Sequence, residues 1–124
     1  MDSVTDYVFD TNCFIRFFEG AQEEKLFIQR LRSGQDSGAF STVSEAELWV
    51  GQNFLGLGRE EEVVYRELFR FMRRTPVTGR IAREGARLRR ENRLELPDAL
   101  IAASAIISKR KLVTRDSAFA RLDP

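Results

Sequence analysis

The chain has 124 residues and a formal net charge of +1, with 20 Lys or Arg against 19 Asp or Glu. A hydrophobic fraction of 43% at this length is enough for one domain with its own core and excludes a disordered tail. Because there is no His and only one Cys, the composition excludes Ser-His or Cys-His catalysis, a His-ligated zinc site and an internal disulfide.

The sequence also predicts where the protein is found. No apolar run approaches the roughly 20 residues of a membrane span. The stretch from Met1 to Asp6 is acidic, unlike the basic start of a secretory signal. The lone Cys13 suits a reducing compartment. We therefore expect a cytoplasmic protein in which residues 1–124 form a single domain.

Strand and helix patterns alternate along the first third of the chain. β-branched and aromatic runs predict strands, and apolar residues at three- and four-residue steps predict helices. The predicted elements are a strand at residues 7–9, two helical pieces between Cys13 and Leu31 divided near Gly20, a turn at 34–38 and a strand at 39–43.

Helical periodicity dominates the middle of the chain. Ser44 opens a helix that closes at residues 56–58, and residues 60–74 predict a strongly amphipathic helix. The apolar face of the first helix consists of Val43, Ala46, Val50 and Phe54. The second helix has inward positions at Val64, Leu68, Phe71 and Met72, and outward positions at Glu61, Glu62, Arg66, Arg70 and Arg73.

The last part of the chain completes the alternation. The predicted elements are an edge strand at residues 75–78, a helix at 79–91, a buried helix at 99–108 that begins with Pro97-Asp98, and a strand at 111–114. Strands that alternate with helices favour a parallel sheet covered on both faces. We predict a three-layer α/β/α fold with a central parallel sheet of four short strands.

Four carboxylates stand at related places in this fold. Asp10 and Asp116 follow strands, Glu47 lies in the first turn of the helix after the second strand, and Asp98 starts the buried helix. The carboxyl ends of parallel strands share one edge of the sheet, so three of these acids are expected there. Asp98 follows a helix, so its position is inferred less directly.

Each acid also has a purely structural interpretation. Asp10, Asp98 and Asp116 can be helix caps, and Ser44 with Glu47 can form a capping box. Four carboxylates close together repel one another unless a cation lies among them. Hard oxygen ligands without His or Cys favour Mg²⁺ or Mn²⁺, which can activate water and stabilise phosphoryl oxygens.

The residues around these acids resemble the PIN-domain family, particularly the VapC toxins of bacterial toxin-antitoxin pairs. The similarity covers nearly the whole chain in order, and it depends on four segments together because none is specific alone. These segments are Val8-Phe9-Asp10-Thr11-Asn12, then Ser41-Thr42-Val43 with Glu47-Leu48 and Gly51, then Asp98-Ala99-Leu100-Ile101-Ala102-Ala103, and Leu112-Val113-Thr114-Arg115-Asp116 with Phe119.

The resemblance implies a Mg²⁺- or Mn²⁺-dependent ribonuclease with Asp10, Glu47, Asp98 and Asp116 in its catalytic and metal-binding pocket. The polar residues Thr11, Asn12 and Thr114 match positions that support the acids. Glu45 is the alternative to Glu47, but the Glu-Leu pair with Gly51 four residues after the Glu favours Glu47. Similar proteins continue into a fifth strand, so a sheet of five strands is the alternative to the predicted sheet of four.

Arginines supply a candidate RNA-binding surface. One helical face carries Arg80, Arg83, Arg87 and Arg90, a stripe suited to phosphate contacts. The alternative is a solvated face paired with Glu84 and Glu91. Arg115 is a weaker candidate for RNA contact, with a salt bridge to a pocket acid as its alternative.

Apolar residues in the early helices predict partner surfaces. Phe14, Phe17, Phe18, Phe54, Leu55 and Leu57 exceed what one small helix face buries, although most are expected in the core. The resemblance implies that the early helices pair two copies into a homodimer and bind a cognate antitoxin protein. Trp49 and the Phe54-Leu55 pair are the first candidates, whereas Cys13 is expected to be buried packing.

Other classes of protein fit less well. A receiver module needs an acceptor Asp after a middle strand, and there is no Asp between Asp36 and Asp98. A haloacid-dehalogenase phosphatase needs a second Asp at the position of Asn12. The remaining alternative is a non-catalytic PIN-like module that binds RNA or forms complexes.

Overall fold

The computed structural model describes residues 4–55, 58–116 and 119, with the backbone alone at 52–55. Its strands are β1 (Thr5–Phe9), β2 (Asp36–Ser41), β3 (Arg73–Thr75) and β4 (Lys111–Val113). Its helices are α1 (Thr11–Phe18), α2 (Gln22–Arg32), α3 (Thr42–Leu55), α4 (Gly58–Phe69), α5 (Gly79–Asn92) and α6 (Leu96–Ser108).

All strand pairings are parallel, and the four strands form one sheet in the order β3-β2-β1-β4. This confirms the predicted α/β fold with a parallel sheet. The two central strands, β1 and β2, therefore end at the same edge of the sheet. A fifth strand after β4 would fall mainly on residues outside the described part of the chain. None of the described helices is long and apolar enough to cross a membrane.

The second strand starts and ends earlier than predicted. Residues 36–38 belong to β2 because Gly38, expected in a turn, lies against the Phe9 ring, where a Cβ would come within 2.9 Å of a ring carbon. At the other end, Ser41 Oγ accepts a hydrogen bond from the Val43 N–H at 3.0 Å. This contact satisfies a first-turn donor of α3, so Thr42 and Val43 are helical instead of extended.

The inward face of α3 also differs from the prediction. Ser44 and Leu48 are buried, whereas Ala46 is exposed and Val50 is 69% exposed. Because the helix starts at Thr42, its contacts with the sheet are made through the face that carries Ser44 and Leu48. The side chains of Phe54 and Leu55, together with Leu57, lie outside the described residues.

The amphipathic helix α4 ends at Phe69, five residues before the predicted end. The chain then turns into β3, so Phe71 leaves the helical periodicity and is 43% exposed. The buried face carries Glu61, Tyr65, Leu68 and Phe69. Glu61, predicted to face outward, is instead buried one turn before Tyr65. The predicted edge strand is present, but it spans residues 73–75 instead of 75–78.

Aromatic side chains fill the main core. Phe14, Phe40 and Phe69 pack together, with the rings of Phe40 and Phe69 stacked at a centroid distance of 4.2 Å. Trp49 is half-buried against Tyr65 and Phe69. Cys13 is buried in the same cluster, as predicted. Most of the aromatic residues in the early helices therefore serve the core.

The helices α5 and α6 pack against each other through small residues. Gly85 lies so close to Leu100 that a Cβ would come within 2.7 Å of its side chain and 3.4 Å of its Cα. Ile81 and Leu88, which are buried together with Gly85 on α5, complete the inward face of this helix. The close approach at Gly85 fixes the position of α6, which carries Asp98 in its first turn.

Candidate acidic active site

Asp10 is both a helix cap and a pocket residue. It follows β1, is 4% exposed, and accepts a hydrogen bond from the Cys13 N–H at 3.2 Å. Its second carboxylate oxygen accepts a hydrogen bond from the Thr114 hydroxyl. The Asp10 N–H donates to the Val113 carbonyl at 3.1 Å, which ties the ends of β1 and β4 together. These contacts fix the carboxylate at the edge of the sheet.

Glu47 is held by a residue of α1. The Thr11 hydroxyl donates to Glu47 Oε1 at 2.6 Å, and it also lies 3.0 Å from the buried Ser44 Oγ. Since α3 begins at Thr42, Glu47 belongs to its second turn instead of its first. A capping box needs the acid at the third helical position, so Ser44 and Glu47 do not form one here.

Glu45 does not share this location. Its carboxylate forms a two-pronged ion pair with Arg74, with distances of 2.8 Å to Nε and 2.9 Å to Nη2. Arg74 belongs to β3, at the outer edge of the sheet. The structure therefore separates the two glutamates, with Glu47 directed to the end of β1 and Glu45 engaged elsewhere.

Asp98 lies in the first turn of α6 and is half-buried. It is not the cap of this helix, because the residue at the cap position is Glu95. Burial raises the pKa of Asp98, and the negative charges of Asp116, Glu47 and Asp10 raise it further, followed by Glu95. The other three candidate acids are therefore close enough to repel the ionised Asp98.

Asp116 is half-buried, and its N–H donates to Thr114 Oγ1 at 3.0 Å. Thr114 thus bridges Asp116 and Asp10. The Phe119 N–H donates to the Asp116 carbonyl at 3.2 Å. Whether the Asp116 side chain caps a helix depends on residues 117–118, which lie outside the described part of the chain.

One open pocket of about 270 Å³ brings most of these groups together. It is lined by Asp10, Thr11, Asn12, Ile15, Glu47 and Asp98. Asp116 lines a neighbouring groove with Thr114 and Arg115. Among the residues that the structure describes, no Lys or Arg lines the acidic pocket, and no three acid or Cys side chains are arranged to hold a metal ion.

The arginine contacts bear on the choice between RNA contact and ion pairing that the sequence left open for Arg115 and for the stripe on α5. Arg115 pairs with Glu24 at 2.8 Å and Glu23 at 2.9 Å, both on α2, instead of with a pocket acid. Arg87 pairs with Glu84 and Glu91, the arrangement expected of a solvated face. The other members of the predicted stripe, Arg80, Arg83 and Arg90, are exposed.

Two structural features of the site were missed by the sequence analysis. Ser44 was assigned only to a cap, yet its buried hydroxyl contacts the threonine that holds Glu47. Ser44 and Glu47 are three residues apart, which places both on one helix face. This spacing could have predicted that Ser44 belongs to the site. Glu24 is 5% exposed and pairs with the residue before Asp116, a contact across 91 positions that no local pattern reveals.

Comparisons with known proteins identify the fold and the family. A family model described as the PIN domain matches residues 7–123. A structure described as a toxin-antitoxin complex from Klebsiella pneumoniae is 30% identical, covers 92% of this chain and 90% of its own, and has a TM-score of 0.74. No curated protein matches the sequence significantly.

Two further solved structures share the fold at lower identity. VapBC2 from Rickettsia felis, bound to a DNA fragment from its promoter, is 18% identical over 97% of this chain and 94% of its own, with a TM-score of 0.82. FitAcB from Neisseria gonorrhoeae is 21% identical over 93% and 91%, with a TM-score of 0.72. The family match spans nearly the whole chain, and the chain therefore belongs to the PIN-domain family.

Proposed function

We propose that this protein is a Mg²⁺- or Mn²⁺-dependent endoribonuclease and the toxin of a toxin-antitoxin pair. The observation that carries the proposal is the acidic pocket, where Asp10, Glu47 and Asp98 meet without a basic partner among the described residues. Burial raises the pKa of Asp98, and the negative charges of the neighbouring acids raise it further. Ionised carboxylates at this site therefore cost stability, and a bound divalent cation would offset that cost.

The donor chemistry of the pocket suits such an ion. Asp10, Glu47 and Asp98 offer hard carboxylate oxygens, the ligands that Mg²⁺ and Mn²⁺ prefer, and Asp116 stands beside them. The acids are not gathered as a ready ligand group, but Glu47 is exposed and can change its side-chain conformation. When bound, the ion would stabilise negative charge on phosphoryl oxygens and lower the pKa of water.

The chain's own residues have distinct roles in this proposal. Asp10 is fixed by the Thr114 hydroxyl and the Cys13 N–H, so it would supply the rigid ligand. Thr11, which directly follows Asp10, donates a hydrogen bond to Glu47 and orients that side chain. Asp98 has a raised pKa and no helix-cap duty, so it or Asp116 could accept a proton from the attacking water.

RNA is the proposed substrate, on the basis of the resemblance to VapC-type proteins. An unpaired strand can bend so that one phosphodiester enters a pocket of short acids, whereas an A-form duplex presents a stiff backbone. The proposal therefore favours single-stranded or looped RNA.

Two protein partners are also proposed. The solved structure from Klebsiella pneumoniae is a toxin-antitoxin complex, which supports a cognate antitoxin partner for this chain. A homodimer is proposed from the family resemblance. Trp49 is a weaker interface candidate than the sequence predicts, because it already packs in the core under Arg66, which lies 5.4 Å from its ring centroid.

The experiment is cleavage of a fluorescent single-stranded RNA and its matched duplex with Mg²⁺, Mn²⁺ or EDTA. We expect cleavage that requires the cation, is faster on the single strand and is lost in Asp98→Asn. Glu91→Gln is the matched control, since it also removes one carboxylate but from an ion pair outside the pocket. RNA binding without cleavage by the wild type in all conditions would favour the non-catalytic alternative.

A further inference from the structure

Asp116 differs from the other acids of the site in the backbone that carries it. It follows the end of β4, and residues 114–116 belong to neither a strand nor a helix. The other three candidate acids are placed by helices, as the cap of α1 or as residues of α3 and α6. Irregular backbone positions a functional side chain less precisely unless further contacts hold it. The contacts of residues 114–116 therefore matter for the position of Asp116.

Two side chains hold this segment, and they connect it with different parts of the fold. The Thr114 hydroxyl donates to the Asp10 carboxylate and accepts a hydrogen bond from the Asp116 N–H at 3.0 Å. The Arg115 guanidinium donates from Nη2 to Glu24 Oε1 at 2.8 Å. Thr114 thus ties the segment to the pocket, whereas Arg115 ties it to α2, which carries none of the four candidate acids.

Glu24 occupies a position on α2 that the helical period assigns to an apolar residue. The other buried residues of this face are Ile28 and Leu31, at steps of four and three residues. Glu24 also lines a mainly apolar crevice together with Val113, the last residue of β4. A leucine at this position would suit the helix face and avoid the cost of burying a charge. The contact with Arg115 therefore accounts for this carboxylate better than the packing of α2 does.

The two acids that pair with Arg115 are not equivalent. The side chain of Glu23 is 74% exposed, whereas that of Glu24 is 6% exposed. Water and salt screen an exposed ion pair, so it restricts its partners little. A buried carboxylate near the start of a helix has few alternative positions. Glu24 is therefore the partner that fixes the guanidinium, and Glu23 provides an internal control.

We propose that Glu24 and Arg115 are positioning residues, whose ion pair holds Asp116 in place beside the acidic pocket. Glu24 fixes the Arg115 side chain, and the next residue along the chain is Asp116. This inference rests on the proposed function, because the acid that is positioned belongs to the proposed metal site. Contacts that orient metal ligands change metal affinity by about 10- to 100-fold when they are removed.

Glu24→Leu is the variant that tests the pair. It removes the buried carboxylate and suits the apolar face of α2, and water can solvate the partly exposed Arg115. We therefore expect its Tm to stay within about 4 °C of the wild type. Asp36→Asn is the matched control, since it alters another buried acid that pairs with an arginine of α2. Glu23→Gln removes the exposed partner of Arg115.

The first measurement is made on the metal-free protein. Nuclear magnetic resonance relaxation of ¹⁵N gives the order parameters of the Arg115 and Asp116 N–H groups. We expect values typical of rigid backbone, about 0.85, in the wild type and in both control variants, and values below about 0.6 in Glu24→Leu. Calorimetric titration should then show about 10-fold weaker Mn²⁺ binding by Glu24→Leu than by the wild type and the controls.

Cleavage of a single-stranded RNA at several Mn²⁺ concentrations provides a further contrast. The Mn²⁺ concentration that gives half-maximal cleavage should be about 10-fold higher for Glu24→Leu than for the wild type. The rate at saturating Mn²⁺ should stay within about 3-fold, because excess cation favours the ordered site. A direct contact between Arg115 and RNA predicts the opposite sign, since Glu24→Leu would free the guanidinium and raise cleavage at limiting Mn²⁺.

Three results would overturn the proposal: unchanged order parameters in folded Glu24→Leu, an equal decrease in Asp36→Asn, or faster cleavage by Glu24→Leu at limiting Mn²⁺. If Glu24→Leu does not fold, Glu24→Gln takes its place, with a smaller decrease expected because the amide oxygen still accepts a hydrogen bond from Arg115. A wild type that neither binds Mn²⁺ nor cleaves RNA would contradict the proposed function. The order parameters would still decide whether the ion pair positions residues 115–116.

Discussion

Asp10 of the pocket and two buried acids elsewhere in the fold, Glu24 and Asp36, are held in different ways. Glu24 and Asp36 are each 5% exposed, and each is paired with an arginine, at 2.8 Å to Arg115 and 2.6 Å to Arg30. Asp10 is equally buried, at 4% exposed, but its partners are a hydroxyl and a backbone N–H. Asp10 is therefore as buried as Glu24 and Asp36, and the nature of the partner differs.

This difference shows which charges the fold itself uses. The arginine pairs neutralise Glu24 and Asp36 and connect separate parts of the chain, so those carboxylates contribute to folding. The pocket brings Asp10, Glu47 and Asp98 together. Burial raises the pKa of Asp98, and the negative charges of the neighbouring acids, Asp116 first, raise it further. Charge retained at such a cost to stability is typical of a binding or catalytic site.

The largest expected effect is a loss of RNA cleavage when Asp10 is replaced, in contrast to the replacement of Asp36. Asp10→Asn keeps an oxygen for the Cys13 N–H, because Asn caps helices as well as Asp, but it removes the charge that a cation needs. We expect cleavage of single-stranded RNA to fall about 10³-fold with little change in the free energy of unfolding. Initial rates at saturating Mn²⁺ and urea denaturation measure the two quantities.

Asp36→Asn is the counterpart in the paired region. It leaves Arg30 without its charged partner, so we expect a loss of stability and cleavage within 3-fold of the wild type while the protein remains folded. If Asp36→Asn abolished cleavage in the folded protein and Asp10→Asn did not, the distinction between the two regions would be wrong.

The next largest effect is a difference in cleavage rate between variants of the two glutamates of α3. Glu47→Gln should reduce cleavage about 10- to 100-fold, since an exposed acid at the edge of the pocket supports the metal less than Asp10 does. Glu45→Gln also replaces a carboxylate of α3 with an amide, but it should leave the cleavage rate unchanged because Glu45 pairs with Arg74. Calorimetric titration with Mn²⁺ should show the same contrast. Equal rates and Mn²⁺ affinities in both variants would exclude Glu47 from the site.

A smaller effect concerns stability. Arg115→Ala leaves the buried Glu24 without its cation, and we expect a loss of about 2 kcal/mol in the free energy of unfolding. Arg74→Ala should lose less than about 1 kcal/mol, because Glu45 is more exposed and can be solvated. Urea denaturation of both variants gives the comparison, and a larger loss in Arg74→Ala would contradict the order of burial.

The sequence predicted what depends on local order along the chain. A strand that ends at Phe9 followed by Asp-Thr-Asn places Asp10 at the edge of the sheet, and this needs no knowledge of distant contacts. The position of Asp98 was harder to predict from the sequence, because a helix precedes it instead of a strand. Its position follows from the close packing of Gly85 on Leu100, where the missing Cβ allows the two helices to approach.

What the sequence could not predict depends on contacts between distant residues. Phe71 fits the helical period of α4, yet the chain has already left the helix to form β3. Glu61 reads as a surface charge, but the face that packs inward is set by Tyr65, Leu68 and Phe69. Arg115 pairs with Glu24 because β4 ends beside α2, an arrangement fixed by the whole sheet.

The smallest expected effect comes from the raised pKa of Asp98. In the folded protein the group holds its proton to higher pH than in the unfolded chain, whose ordinary value is 3.8. Between the two pKa values the folded state binds more protons, so stability falls as the pH rises, and the full cost is present above the folded pKa. Asp98→Asn removes this cost because it cannot ionise.

Without added metal, we therefore expect Asp98→Asn to raise Tm at pH 7 by about 2–4 °C. The gain should shrink as the pH falls and disappear below 3.8, where Asp98 is protonated in both states. Glu91→Gln should give no such gain, since its carboxylate pairs with Arg87. With saturating Mn²⁺, the Tm of the wild type should exceed that of Asp98→Asn. The cation binds the intact set of acids, so it stabilises only the wild type. A lower Tm for Asp98→Asn at pH 7 in EDTA would mean that this carboxylate supports the fold, as Glu24 and Asp36 do.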